Sequence, residues 1–113
     1  MRIAGVSVLA VLLAAPCLST PLWAAEPGSY DLAIKDHRFT PERLEVPADT
    51  KLVLVIRNED SSPEEFESHD LKREKVVRGG ESIRVIVGPL KAGEYAFVGE
   101  YHEDTAKGVL VVK

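Results

Sequence analysis

The sequence predicts an all-β domain, an antiparallel sandwich or barrel of roughly six or seven short strands, on three observations. Apolar residues recur with period two, turn residues fall between the runs at spacings of roughly 8–12 residues, and no stretch carries a convincing helical period. The chain has 113 residues and a formal net charge of −4, which allows one domain and argues against a nucleic-acid binder.

The first segment is a different object. Residues 1–25 carry one charge, Arg2, then a largely apolar run over 3–15 and the helix breakers Pro16 and Pro21. This pattern reads as a secretory signal peptide, because the run is shorter than the roughly 20 residues that a spanning helix needs. Cleavage is expected near Ala24 or Ala25, leaving one domain over 26–113 with no membrane span. Cys17 follows Pro16 rather than the small residue of a lipoprotein signal. Cleavage removes it, so the exported domain has neither a disulfide nor a thiolate ligand.

The strands then follow in order. Tyr30, Leu32 and Ile34 alternate, as do Leu44 and Val46, then Ile83, Val85 and Val87, then Tyr95 and Phe97, then Val109 and Val111. Each set predicts a strand with one buried face. The run KLVLVIR over 51–57 is apolar on both faces, as a central strand requires. Pro47, Asn58, Gly79-Gly80, Gly88-Pro89 and Gly93 punctuate the runs, and Gly79-Gly80 reads as a hairpin turn. Phe39 and Pro41 read as packing residues at a strand entry, and Tyr95 and Phe97 as core.

The irregular stretch expected over 58–73 is where function tends to sit on a rigid β scaffold. It is acidic, with Glu59, Asp60, Glu64, Glu65, Glu67 and Asp70, and Glu74 follows. A second acidic group, Glu100, Glu103 and Asp104, surrounds His102 after the penultimate strand. Carboxylates and one imidazole suit Fe, Mn, Zn, Cu(II) or Ca, and the lack of sulfur disfavours Cu(I). The plainer reading of both stretches is solvated charge. His37, in a turn, reads as structural or surface; His69 lies close enough in sequence to approach the acidic loop. A ring buried at Phe66 would hold Glu64 and Glu65 at a defined height. Lys72, Arg73, Lys75 and Arg78 read as a solvated basic edge. No nucleophile elbow or phosphate-binding glycine loop is present.

The order of a strand ending at Asn58, the loop S-P-E-E-F-E, the strand E-S-I-R-V-I-V, then A-G-E-Y-A-F-V-G-E-Y-H and G-V-L-V-V resembles a cupredoxin. It looks most like the cupredoxin-like domains of bacterial periplasmic ferrous-iron uptake systems. The resemblance implies a Greek-key β-sandwich of six to eight short strands. A blue-copper member would carry His at Glu64, Cys at Gly99, His at His102 and Met at Thr105, of which only His102 matches. The missing thiolate argues against blue-copper electron transfer.

The resemblance therefore implies a hard site of Glu64, Glu65, Glu100 and His102 for one iron or copper ion. Glu67, Glu103 and Asp104 would add negative potential. Carboxylates favour Fe(III) over Fe(II), so the expected role is periplasmic binding of iron, or help in its oxidation, for a membrane iron permease and its periplasmic components. Turnover as a ferrous-iron oxidase would need an electron acceptor. Two alternatives are a metal-free docking module of an envelope transporter complex and, more weakly, a copper electron carrier. All metal readings require the two acidic stretches to share one end of the sandwich. A simple up-and-down count puts them at opposite ends; the resemblance puts them together.

Overall fold

The computed structural model describes residues 28–113, together with Gly5. The leader, its cleavage point and Cys17 lie outside the described residues. Among the described residues nine strands form two sheets: β1 (Ser29–Lys35), β2 (Arg38–Thr40), β3 (Arg43–Val46), β4 (Leu52–Asn58), β5 (Glu64–Ser68), β6 (Arg73–Val77), β7 (Ser82–Val87), β8 (Gly93–Gly99) and β9 (Lys107–Val112). One sheet runs β2-β1-β4-β7 and the other β3-β9-β8-β5-β6.

Nine strands are two more than the six or seven read from the spacing, and one more than the resemblance implies at most. The stretch around Leu44 divides at Pro41, where the chain leaves the first sheet as β2 and enters the second as β3. The acidic stretch expected to be a loop contains β5. Its period-two pattern was masked because two of its inward positions are polar: Glu64, Phe66 and Ser68 are buried, and Glu67 lies between them on the other face. Two pairs depart from the antiparallel expectation, β1 with β4 and β3 with β9, both parallel. Each joins strands separated by a passage through the opposite sheet, which is what Greek-key connectivity does. Gly79-Gly80 is likewise not a hairpin turn, since it carries the chain from β6 in one sheet to β7 in the other. A Cβ on Gly79 would collide with the Ser61 carbonyl, which explains glycine there.

The core lies between the sheets. Leu32, Ile34, Leu52, Leu54, Ile56 and Leu110 are fully buried. Three rings complete it. Phe39 meets Phe97 edge-on at 4.9 Å and Phe66 at 6.4 Å, and Phe66 tilts against Phe97 at 5.4 Å. Edge-to-face contacts of this kind add to the burial of ring area. Tyr95 is half-buried rather than core, because its hydroxyl reaches out to donate to the Lys91 carbonyl at 2.8 Å.

The core also positions the functional end. Phe66, 0% exposed, fixes the middle of β5, so Glu64 and Glu65 cannot slide along the strand. Ser68 fastens its far end, donating from Oγ to the Ala96 carbonyl at 2.6 Å and accepting the Leu71 N–H at 3.0 Å.

Candidate metal-binding rim

β8 ends at Gly99, and a single 3₁₀ turn, Glu100–His102, follows it. Phe66 of β5 pairs with Gly99, so this turn emerges beside the start of β5. The two acidic stretches therefore share one rim. The two intervening strands β5 and β6 and the crossing between sheets make that possible.

At the rim Glu64 points inward and is 1% exposed. Its Oε1 accepts the N–H of Glu65 at 3.0 Å and of Tyr101 at 2.9 Å. Its Oε2 lies 2.6 Å from His102 Nδ1, a hydrogen bond in which Nδ1–H donates when Glu64 is a carboxylate. Charge-assisted bonds of this length are the stronger kind. A carboxylate is tolerated at this depth because both its oxygens are bonded.

His37 covers the pair. Asp36 and His37 have φ of 52° and 56°, as the two central residues of a type I′ hairpin between β1 and β2 require. Asp60 accepts their two N–H groups at 2.8 and 3.0 Å and Thr105 Oγ1 donates to the His37 carbonyl at 2.6 Å. Burial raises the Asp60 pKa, but the N–H groups of His37 and Asp36 outweigh it and hold the carboxyl below its usual range. The turn lays the His37 ring flat on His102, with centroids 3.5 Å apart and 12° between planes.

The opposite face of β5 carries a second constellation. One carboxylate oxygen from each of Glu65, Glu67 and Glu100 lies within 4.8 Å of the others. Glu74 stands across from Glu67 in the β5–β6 register, and His69 Nε2 approaches Glu67 Oε1 at 3.2 Å. Crowded carboxylates hold protons. Glu74 is raised by its hydrogen bond and charge interaction with Glu65. At Glu100 a hydrogen bond from Glu65 lowers the pKa, but Glu67, desolvation and the charges of Glu67 and Glu74 outweigh it, and the net shift is upward. The Tyr101 phenol rises as well, through desolvation first and then the charges of Glu65, Glu100 and Glu64.

The folded pKa of Glu100 exceeds its unfolded value, so the folded state takes up more protons and stability falls as pH rises through the raised carboxylate range. Glu100→Gln is therefore expected to raise the melting temperature near neutral pH and to lose that advantage well below pH 4; paired thermal melts across pH check this.

The four residues expected to share one ion thus divide into two pairs. Glu64 meets His102 on the core side of β5, while Glu65 meets Glu100 on the outer side, because successive residues of a strand face opposite ways. Glu67, expected to add only potential, completes the outer group; its i,i+2 spacing from Glu65 was the available signal. His37, read as structural or surface, is the lid on His102, a placement 65 positions distant in sequence that no local pattern announces. Glu103 and Asp104 are exposed in the following turn.

A copper–thiolate centre does not fit this rim. At Gly99 a Cβ would lie 2.7 Å from Glu64 Cδ and 2.7 Å from Ala106 Cβ, so the carboxylate fills the space a thiolate side chain would enter. Thr105, at the position of the expected fourth ligand, is engaged with the His37 turn.

Comparison with known proteins agrees with the architecture. An uncharacterized protein of Rickettsia prowazekii (strain Madrid E), RP394, is 53% identical over 81 residues, 72% of this chain; the match spans 65% of that relative's length. Auracyanin A, a "blue" copper protein of Chloroflexus aurantiacus, superposes with TM-score 0.64 at 14% identity, covering 75% of this chain and 98% of its own. The metal-binding domain of the Streptococcus pneumoniae D39 Cu(I)-exporting P-type ATPase CopA, solved with Cu(I), gives TM-score 0.68 at 13% identity, covering 80% and 91%. At these identities the structural likeness concerns fold. Residues 6–112 match the cupredoxin-like domain, and the chain belongs to that family.

Proposed function

We propose that this protein is an exported, periplasmic cupredoxin-like protein that binds iron, or Cu(II), for a membrane iron transporter. The observation that carries the reading is the convergence of Glu65, Glu67 and Glu100 on one outer face of the rim. Three carboxylates form a hard oxygen set that prefers Fe(III) to Fe(II) and so lowers the potential of bound iron. The buried pair has a positioning role in this scheme. Glu64 Oε1 holds the N–H of Glu65 and of Tyr101, and thereby the two backbone segments that carry Glu65 and Glu100. His102 holds Glu64 in turn. Such support is worth about 10–100-fold in metal affinity.

Calorimetric titration of the protein with Fe(II) under argon, and with Cu(II), tests the reading. Binding of one ion is expected, weakened at least about tenfold by Glu67→Gln. His102→Ala is expected to weaken it less, while leaving the ligands in place. No visible thiolate-to-copper band should appear. Absence of binding for both ions would favour the metal-free docking module, a reading supported by the closed Glu64–His102 pair in the space of a cupredoxin metal.

A further inference from the structure

A second surface lies away from the rim. β6 and β7 are the edge strands of their respective sheets and run past each other on the same open side of the sandwich. Between them is a groove of about 310 Å³ lined by Arg73, Glu74, Lys75, Arg84, Val85 and Ile86. Arg73 and Lys75 stand in register with Ser68 and Phe66, both buried, so their side chains lean over the opening between the sheets rather than over an outer face. An inward-leaning charge is a common guard against edge-to-edge pairing. That role needs one charge on an edge; β6 carries two, Arg73 and Lys75, on the same inward side.

The Arg73 guanidinium is set in place by backbone alone, donating from Nε to the Ile86 carbonyl at 2.9 Å and from Nη1 to the Lys72 carbonyl at 2.9 Å. Those bonds orient its charge without neutralising it. Among the described residues no carboxylate pairs with Arg73 or Lys75.

We infer that the β6–β7 groove docks an extended, acidic segment of a partner protein. β6 is an edge strand, and strand addition is the recurring way an extended segment binds to such an edge, whereas the Ile86 carbonyl on the β7 side already accepts from Arg73. Arg73 and Lys75 are two residues apart on one strand, about 7 Å, which matches the spacing of alternate carboxylates on an extended chain. Ile86, 48% exposed at the groove's margin, offers an apolar contact to the residues between them. A bilayer surface fits less well. Val76 and Ile86, 47% and 48% exposed, sit on the outer faces of different sheets and cannot enter one plane together. A second copy of this chain would have to dock against the mutual repulsion of two acidic molecules.

The probe is a blocked hexapeptide alternating glutamate and valine, titrated into the ¹⁵N-labelled full chain, with the glutamine analogue as control. Shifts confined to residues 73–75 and 84–86 are expected, with affinity falling several-fold between about 20 and about 300 mM salt. Lys75→Glu should weaken binding at least about fivefold, and Lys75→Gln, which adds no new charge, should weaken it in the same direction. Equal binding of the glutamine peptide, shifts centred elsewhere or no binding at millimolar peptide would overturn the inference. So would groove shifts that depend on protein concentration alone, marking a second copy, or binding of anionic phospholipid vesicles in preference to the peptide.

Discussion

Glu64→Ala is expected to destabilise the fold by about 3 kcal/mol or more, because it removes the shared acceptor of several hydrogen bonds at a buried position. The loss has three sources. The N–H groups of Glu65 and Tyr101 lose their acceptor, His102 Nδ1 loses its partner, and a cavity opens beside Ala106. Each unsatisfied buried group alone costs about 1–3 kcal/mol. For a domain of this size the melting temperature should fall by about 15 °C or more, read by thermal and urea denaturation. Glu64→Gln retains the side-chain volume and an acceptor for the two N–H groups, so it should lose much less. A melting temperature for Glu64→Ala within a few degrees of the parent would show that the buried carboxylate does not hold the rim together.

The second large effect is expected at Gly99. Its added Cβ would stand 2.7 Å from Ala106 Cβ, and Ala106 is fully buried with no rotamer to change. It would also stand 2.7 Å from Glu64 Cδ, in a side chain pinned at both oxygens. Overpacking of this kind costs about 1–3 kcal/mol, so Gly99→Ala should be clearly destabilised by chemical denaturation. The two positions should couple. With Glu64→Ala already present, half the collision is gone, and Gly99→Ala should cost less by about 1 kcal/mol in a double-mutant cycle. Strict additivity would mean that Glu64 yields freely to a side chain at Gly99. In that case Gly99→Cys alone could admit a thiolate to the rim. On the packing observed, Gly99→Cys should give no copper–thiolate absorption while Glu64 remains.

These two residues explain how this member of the family departs from the copper-site pattern expected from the resemblance. A carboxylate from β5 reaches into the place of a thiolate, and the glycine makes room for it. The oxygen donors left for a cation are on the other side of the strand. Glu64 links the two sides, since the backbone groups it binds belong to or adjoin the residues of the outer carboxylate group.

The sequence by itself determined the all-β class and most of the strands. Burial against the opposite sheet is written locally as alternation, as at Leu32 and Ile34 or Val85 and Val87. It also determined that no thiolate follows residue 25 and that acid collects in two stretches. Only the tertiary structure decided that 64–68 is a strand, because its inward face is built from Glu64 and Ser68 and their burial makes sense only beside His102 and the Ala96 carbonyl. It alone decided which carboxylates converge. The pairing of Phe66 with Gly99 and the crossings between sheets bring residues tens of positions apart onto one rim, and the pleat of β5 then sends Glu64 inward and Glu65 outward. Such partners are set by register and connectivity, which depend on the whole packed core and leave little mark on any short run of residues.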